Sequence, residues 1–500
     1  LMRAHAARGE RGMAIQAYDR CRAVLADLLD ASPSAETQKL LAEIRGPSGS
    51  RMPLRPPSPP PQPQPEAADD EEPPAVLEPR SADIRPTRGG AHVGVMPLQL
   101  VGTTEEEAHL APGLAEEITT ALARFRWMFV VASNSLARFA AETRDETAIR
   151  RTFGIDFLLD GSIQRVRNRM RITVRLLDLR AGNQVVWARR FDRQSNDLLS
   201  LQDEIASEVV AQIDPEILLI EAKRSAGRVP VDATAYDMVL RAIPLIGRME
   251  RSHYMMAGEY LSRAIELEPD YAAAYAWYAY WHIFLVGQGW AEDLDAMMAE
   301  AGELAEQAVV LDPFDARGLT IAGHVRAFLH RRLREAIALH ERALSLNPNL
   351  AMAWALSAIA FAYMGDPDEA ERRNNRYKKL SPLDPHAFFF DAFFILIHLM
   401  KRDYESAVAV ARAVSEMNPS FSATYKPYLS ALGHLGRTQE ASVVRRRLLA
   451  IEPDFTVERF IATSPMERES DRDHYAEGLR LAGLPETAAD AEQLQHQGAH

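Results

Sequence analysis

The 500-residue sequence contains one cysteine, Cys21, so no disulfide can close within the chain and no thiolate cluster is available for structural zinc. That usage suits a reducing compartment, and the cytoplasm is the expected location. Long apolar runs are also missing. The most apolar stretch, Ala387 to Met400, has 14 residues and carries Asp391 and His398. A membrane span needs about 20 apolar residues, so this one reads as a buried helix and no membrane contact is expected. No signal-peptide pattern opens the chain. Lysine is scarce beside arginine, and no lysine follows a glycine, which excludes a Walker phosphate loop. Neither Gly-x-Ser-x-Gly nor His-Glu-x-x-His occurs, and no pair of aspartates suggests a two-metal cyclase centre. A formal charge of −13 argues against non-specific nucleic-acid binding by the whole chain. With 47% hydrophobic and 25% charged residues the composition is that of ordinary globular protein, long enough for roughly three domains. No catalytic residue, cofactor or metal is expected, and the chain does not read as an enzyme.

What is present is a period. Six prolines in the second half each follow an alanine by twelve residues: Ala257/Pro269, Ala301/Pro313, Ala336/Pro348, Ala370/Pro382, Ala407/Pro419 and Ala441/Pro453. The residue two before each proline is apolar: Leu267, Leu311, Leu346, Leu380, Met417 and Ile451. Successive prolines lie 44, 35, 34, 37 and 34 residues apart. Proline cannot continue a helix, so each marks a boundary between units. Alanine favours helix and lets a neighbouring helix approach closely. Trp354 and Phe361, Tyr275 and Tyr278, and Tyr425 and Tyr428 supply the bulk that fills between helices. This phasing resembles the tetratricopeptide repeat (TPR) over about residues 232–465. Trp354, Ala358, Phe361, Ala370 and Tyr377 fall on that family's large–small–large–small–large positions, with Pro382 closing the unit. The 44-residue spacing implies a longer loop around Gly287-Gln288-Gly289. The resemblance implies stacked helical hairpins whose concave side is a groove for a protein or peptide. His324, His330 and His340 lie in one repeat, but the first two are six residues apart, on opposed helix faces, which disfavours metal ligation.

Residues 1–45 read as two or three helices, with apolar residues from Leu1 to Leu29 at helical spacing and a last helix starting near Ser34. Leu1-Met2-Arg3 through Gly9, Ala14 through Arg20, and Ser32-Pro33-Ser34 with Glu36-Thr37 resemble the C-terminal end of the bacterial transcriptional activator domain of SARP-type regulators. In that family the domain follows a winged-helix DNA-binding domain, so the resemblance places promoter contact upstream of Leu1. Residues 46–90 form a linker. Thirteen prolines between Pro47 and Pro86 and the acidic run Asp69 to Glu72 leave too little apolar surface to offset ordering.

Residues 91–216 change texture. Val93 to Met96 and Trp127 to Val131 read as strands, with helices from Pro112 and over Thr147 to Phe153. Phe157–Val166, Met170–Leu179 and Gln184–Phe191 read as a meander, with turns at Asn168 and Ala181-Gly182-Asn183. Ile172, Val174 and Leu176 alternate with Arg171, Thr173 and Arg175, as in a sheet with one buried face. A closing helix spans about Asp197 to Ile213 and ends before Pro215, residues 217–231 connect, and residues 466–500 supply a C-terminal helix and a disordered tail. Gly113 to Ile118, Leu159 to Ile163, Val186 to Asp192 and Gln202 to Ile205 resemble the TolB-like domain that precedes TPR arrays in bacterial regulators. Pro97-Leu98 stands where that family has proline–phenylalanine, and no catalytic residue transfers from it. Arg165, Arg167, Arg169, Arg171 and Arg175 cluster on the hairpin around Asn168. They could grip an anion or acidic partner, or serve as a solvated face that blunts a sheet edge.

The expected fold is therefore mostly α, a TPR-type helical solenoid with a small α+β domain and a short N-terminal helical segment. The expected role is the non-catalytic regulatory part of a bacterial transcriptional regulator. Promoter DNA would be met only through the upstream domain, and homo-oligomerisation is left open. The alternatives are an accessory module of a signalling enzyme such as an adenylate cyclase, or a plain TPR scaffold.

Overall fold

A computed structural model describes residues 38–39, 89–102, 109–142, 145–166, 169–194, 198–227 and 233–491. The expected helices of 1–45, the linker, the Asn168 turn, Arg167 and the last residues of the tail lie outside the described residues, apart from residues 38–39 and 89–90.

The alternating stretches form a mixed sheet. Its strands are β1 (Ala91–Val95), β2 (Gln99–Val101), β3 (Met128–Val130), β4 (Phe157–Val166), β5 (Arg169–Asp178) and β6 (Gln184–Gln194). The order is β3-β1-β4-β5-β6, with β2 also pairing β4. β1 runs parallel to β3 and β4, and the meander β4-β5-β6 is antiparallel. As the alternation predicts, Met170, Ile172, Val174 and Leu176 are buried under helix α1 (Leu110–Leu122). Gly161 is required where it stands, because a Cβ there would sit 2.0 Å from the Thr173 carbonyl oxygen of the facing strand. Helix α3 (Glu146–Phe153) starts where Asp145 accepts from the Thr147 and Ala148 N–H groups, and stops at left-handed Gly154. Two elements were not legible. α2 (Ser133–Glu142) begins among small polar residues, and β2 has only three residues in an exposed–intermediate–exposed pattern.

The closing helix corrects the expected boundary. α4 (Leu198–Ala226) does not end before Pro215 but runs through it for 29 residues, so most of the expected connector 217–231 is helical. Proline there removes one backbone hydrogen bond, at a cost of about 3 kcal/mol. Burial on two sides offsets it: Ile205, Val209, Ile213 and Ile217 pack into the sheet core, while Ala211, Leu218 and Ala222 pack into the repeats.

The period resolves into six helical hairpins: α5/α6 (Ala235–Arg248, Arg251–Leu267), α7/α8 (Ala272–Gly287, Leu294–Leu311), α9/α10 (Ala316–His324, Leu333–Leu346), α11/α12 (Ala351–Met364, Pro367–Leu380), α13/α14 (Ala387–Met400, Tyr404–Met417) and α15/α16 (Ser422–His434, Thr438–Ile451). Short α17 (Val457–Thr463) and α18 (Glu469–Leu481) follow. Every phased alanine (Ala257, Ala301, Ala336, Ala370, Ala407 and Ala441) sits on the second helix of its hairpin, and all six are at most 1% exposed. Every phased proline (Pro269, Pro313, Pro348, Pro382, Pro419 and Pro453) stands at the corner after that helix, and the residue two before it is the last helical one. At three corners an aromatic six residues on donates to the proline carbonyl: Tyr275 to Pro269 (3.0 Å), Trp354 to Pro348 (2.9 Å) and Tyr425 to Pro419 (2.8 Å).

Pro453 corrects the expectation that each proline parts two repeats. It is exposed in the turn after Ile451, and no seventh hairpin follows it: the chain enters α17, which has only seven residues. Arg459 stands six residues on, where three other corners place a tyrosine or tryptophan. The physical reason is that a proline stops a helix through its own ring and missing N–H, whereas a further repeat needs bulky apolar residues beyond it, which this segment lacks. The extra length of the 44-residue unit is shared between a loop over 288–293 and two lengthened helices.

The groove expected along the inner curve is not open. Phe284 of the second hairpin meets Phe389 of the fifth with ring centroids 4.6 Å apart, and Phe421 at the start of the sixth at 6.2 Å. Gln288, fully buried in the long loop, donates to the Ser420 carbonyl (2.7 Å) and accepts from the Ser422 N–H (2.8 Å) and hydroxyl (2.6 Å). Asn418 donates to the Gly247 carbonyl of the first hairpin at 3.3 Å. The superhelix thus curls until early hairpins touch late ones, because large aromatics on the first helices gain more by packing on each other than by facing water. α18 seals the end: it crosses α15 where a Cβ on Gly433 would lie 1.9 Å from the Gly478 carbonyl oxygen.

Candidate functional site

Closure leaves a cavity of about 220 Å³ inside the array. Its apolar wall includes Phe284, Phe328, Phe389, Phe393, Tyr363 and Met466. The third hairpin departs from the repeat here. After His324 the first helix widens into a π-turn over Val325–Leu329, and Arg331 holds a left-handed conformation with φ 56°. Such turns insert an extra residue and re-aim side chains, which is why they recur at functional sites. The His324 ring stacks on Phe328 at 5.8 Å, with Phe389 edge-on at 6.1 Å. Four charged side chains reach the cavity lining: Arg331, Lys426, Glu452 and Arg459. Lys426 Nζ pairs with Glu452 at 2.7 Å and lies 4.7 Å above the Phe455 ring. Arg331 donates to the Ala462 carbonyl at 2.5 Å. Arg459 has no ion-pair partner among the described residues.

The three histidines of this hairpin do not converge on a metal. His324 and His340 are buried, and desolvation pushes each down to about 3, so both are neutral imidazoles. His340 has no hydrogen-bond partner on either ring nitrogen and packs against the helix at Gly323, where any Cβ would stand 2.7 Å from it. His330 instead bonds the Met298 carbonyl at 2.9 Å and Arg326 at 3.0 Å. Among the described residues no group of three or more His, Cys, Asp or Glu could hold a metal.

A second arrangement, not foreseen from the sequence, is the row of buried polar residues along α4. Glu208 meets Arg193 at 3.2 Å and Gln212 accepts from Arg189 at 2.6 Å, both arginines on β6. Asp214 accepts from Trp127 Nε1 at 2.8 Å and from Arg317 of α9 at 2.7 and 3.0 Å. Glu221 pairs with Arg180 and Arg224, and the Ser225 hydroxyl donates to the Asp237 carbonyl at 2.9 Å. α4 is therefore the joint between sheet and array, and its polar residues are paired to both sides. The signal was present as acids and amides inside an apolar helix, but their partners lie far away in the chain.

The arginine hairpin lies on the outer face of the sheet. Arg169, Arg171 and Arg175 alternate with the buried Met170, Ile172 and Val174, and Arg165 stands opposite Met170 on β4. Arg171 pairs with Asp192 at 2.8 Å, whose carboxyl it holds below its usual range by hydrogen bonding. Arg175 forms a two-pronged pair with Asp160 at 2.6 and 2.9 Å. These guanidinium groups are engaged across strands and are not gathered around an empty site.

The bacterial transcriptional activator domain family matches residues 1–45. The putative adenylate cyclase 3 of Rhizobium meliloti (strain 1021) is 32% identical over 184 residues, 37% of this chain. That stretch is 31% of the relative, so the chain spans about a third of the length of the curated protein it matches. Among solved structures, IFIT1 (a monomeric mutant with Gppp-AAAA) superposes over 61% of this chain and 73% of its own, at 13% identity and a TM-score of 0.40. YrrB, a TPR protein with an unusual peptide-binding site, covers 39% and 94% at 19% identity and 0.25. A tetratricopeptide repeat protein from Parabacteroides merdae ATCC 43184 covers 53% and 99% at 12% identity and 0.29. No helix of the described residues is long and apolar enough to cross a membrane.

Proposed function

We propose that residues 1–500 are the non-catalytic, regulatory and protein-interaction part of a bacterial transcriptional regulator in the cytoplasm. The observation that carries this reading is the activator-domain match at residues 1–45. The sheet domain is read as TolB-like on the wording of its strands, and it is clamped to the array through α4. A regulator needs two arrangements whose balance a ligand or partner can shift, and a closed array with a cavity beside its clasp suits that role. With the inner curve filled, protein partners would meet the outside of the solenoid, where Phe314, Leu383 and Met417 stand exposed at the corners. Promoter DNA would be held by a winged helix encoded ahead of Leu1. The test is a gel shift with the full reading frame beside the 500-residue chain. The full protein should retard its own promoter fragment selectively, and the chain alone should bind DNA weakly without sequence preference. Tight, selective binding by the chain alone, or no selective binding by either, refutes this reading.

The 32% identity with a putative adenylate cyclase favours one second reading: an accessory module attached to a signalling enzyme. Cyclic-nucleotide formation by the full reading frame would select it.

A further inference from the structure

We infer that the cavity inside the closed array is a binding site for a small amphipathic monoanion, an apolar chain or ring bearing one carboxylate. This deepens the regulatory reading by naming the ligand class of its interior site. The body of the ligand follows from size and lining. An apolar cavity of roughly 150 Å³ stays dry and takes up benzene, and this one is larger at about 220 Å³. Phenylalanine faces and edges form much of its wall, so water inside would find few partners and an apolar body is favoured.

The head group follows from charge. Three cationic side chains, Arg331, Lys426 and Arg459, line the cavity against one carboxylate, Glu452, which Lys426 already neutralises at 2.7 Å. His324 is neutral and adds no charge. The surplus is positive and centred on Arg331 and Arg459, close in the fold because Arg331 bonds Ala462, one turn beyond Arg459 on α17. A guanidinium pair of this kind recognises a carboxylate through its forked N–H groups. A cationic or neutral amphiphile would leave that surplus unmatched. The π-turn at Val325–Leu329 is what departs from the repeat to shape this wall, since it places Phe328 on the cavity beside His324.

The test is titration calorimetry on the full 500-residue chain with four probes: decanoate below its micellar concentration, 4-phenylbutyrate, decanol and decyltrimethylammonium. One or both acids should bind saturably with one site per chain, and the pair tells a linear from an aromatic body. Decanol and the cation should bind at least about tenfold more weakly, the worth of one charge-assisted hydrogen bond. Arg459→Gln, on a half-exposed residue, should weaken the acid about tenfold or more while leaving the thermal midpoint of the free chain unchanged. Ala392→Trp, which fills the cavity, should abolish binding. Should that variant fail to fold, Arg459→Gln and the probe series still decide. The inference is overturned if neither acid binds, if decanol or the cation binds as well as the acids, or if Arg459→Gln leaves acid affinity intact. None of these measurements involves DNA, so failure here is distinct from failure of the gel shift.

Discussion

Removing the Asp214 carboxylate should uncouple the sheet domain from the repeats. Arg317 and Asp214 are buried, with side chains 12% and 8% exposed, and their atoms meet at 2.7 and 3.0 Å. Trp127 Nε1 donates to the same carboxylate at 2.8 Å. Asp214→Ala therefore strands a buried cation and a buried N–H together. Breaking a buried pair by deleting one partner costs about 3–5 kcal/mol, most of it from the uncompensated charge, and the indole N–H adds about 1 kcal/mol or more. A neighbouring pair joins the same two bodies and serves as the control. Arg126 and Asp312 meet at 2.9 Å, but the Arg126 side chain is 56% exposed, so Arg126→Ala should cost no more than about 1 kcal/mol. Hydrogen exchange on the full chain, read over peptides covering 126–131 and 316–324, reports the opening directly. Protection should fall by two or more orders of magnitude in Asp214→Ala and by less than tenfold in Arg126→Ala. The cycle with Arg317→Ala should show strong coupling, because either deletion alone already breaks the pair. Equal, small losses in the two single variants, or additive effects in the cycle, would show that the junction is held by apolar packing and that the ion pair is incidental.

Three further perturbations probe closure and burial. Gln288→Ala leaves the Ser422 N–H and hydroxyl without their acceptor and should cost about 2–4 kcal/mol in urea unfolding, with increased cleavage by a protease in the 288–293 loop; an unchanged midpoint would show that the clasp contributes nothing. Gly433→Val places atoms inside the backbone of α18 and should release that helix, raising exchange over 469–481; unaltered exchange would refute the close crossing. His324 and His340 are held down to about 3 in the folded chain, whereas the unfolded chain binds their protons near the ordinary value of about 6.5. The unfolded state therefore takes up more protons between these values, and stability present above pH 6.5 is lost as the pH falls toward 3. His340→Leu should flatten that loss by up to about 1.4 kcal/mol per pH unit, seen as converging thermal midpoints of variant and parent with rising pH; parallel curves would refute it.

Much of the fold was legible because its determinants are local. The phased alanines and prolines act within one hairpin or between neighbours: Trp354 reaches Pro348, six residues away. The meander was legible because residues on one strand face alternate, so Ile172, Val174 and Leu176 announce their burial without knowledge of a partner. Proline misled twice. At α4 its local penalty is visible in sequence, whereas the burial on two sides that outweighs it is not. At Pro453 it marks the end of a helix correctly but says nothing of what comes after, which is a cap and not a repeat. The candidate site was hidden for a related reason. Arg331, Lys426, Glu452 and Arg459 occupy unremarkable positions in three separate parts of the chain, and only His324 of that wall had drawn notice, as a ligand it is not.

The period by itself determined that this half of the protein is a stack of helical hairpins, where the alanines are buried and where the corners fall. Whether the stack stays open or closes was decided only in three dimensions. The small rotation from each hairpin to the next is cumulative, and its sum brings Gln288 to Ser422 across 134 residues. No local signal encodes that meeting, so the filled inner curve, the cavity within it and the joint along α4 belong to the tertiary structure alone.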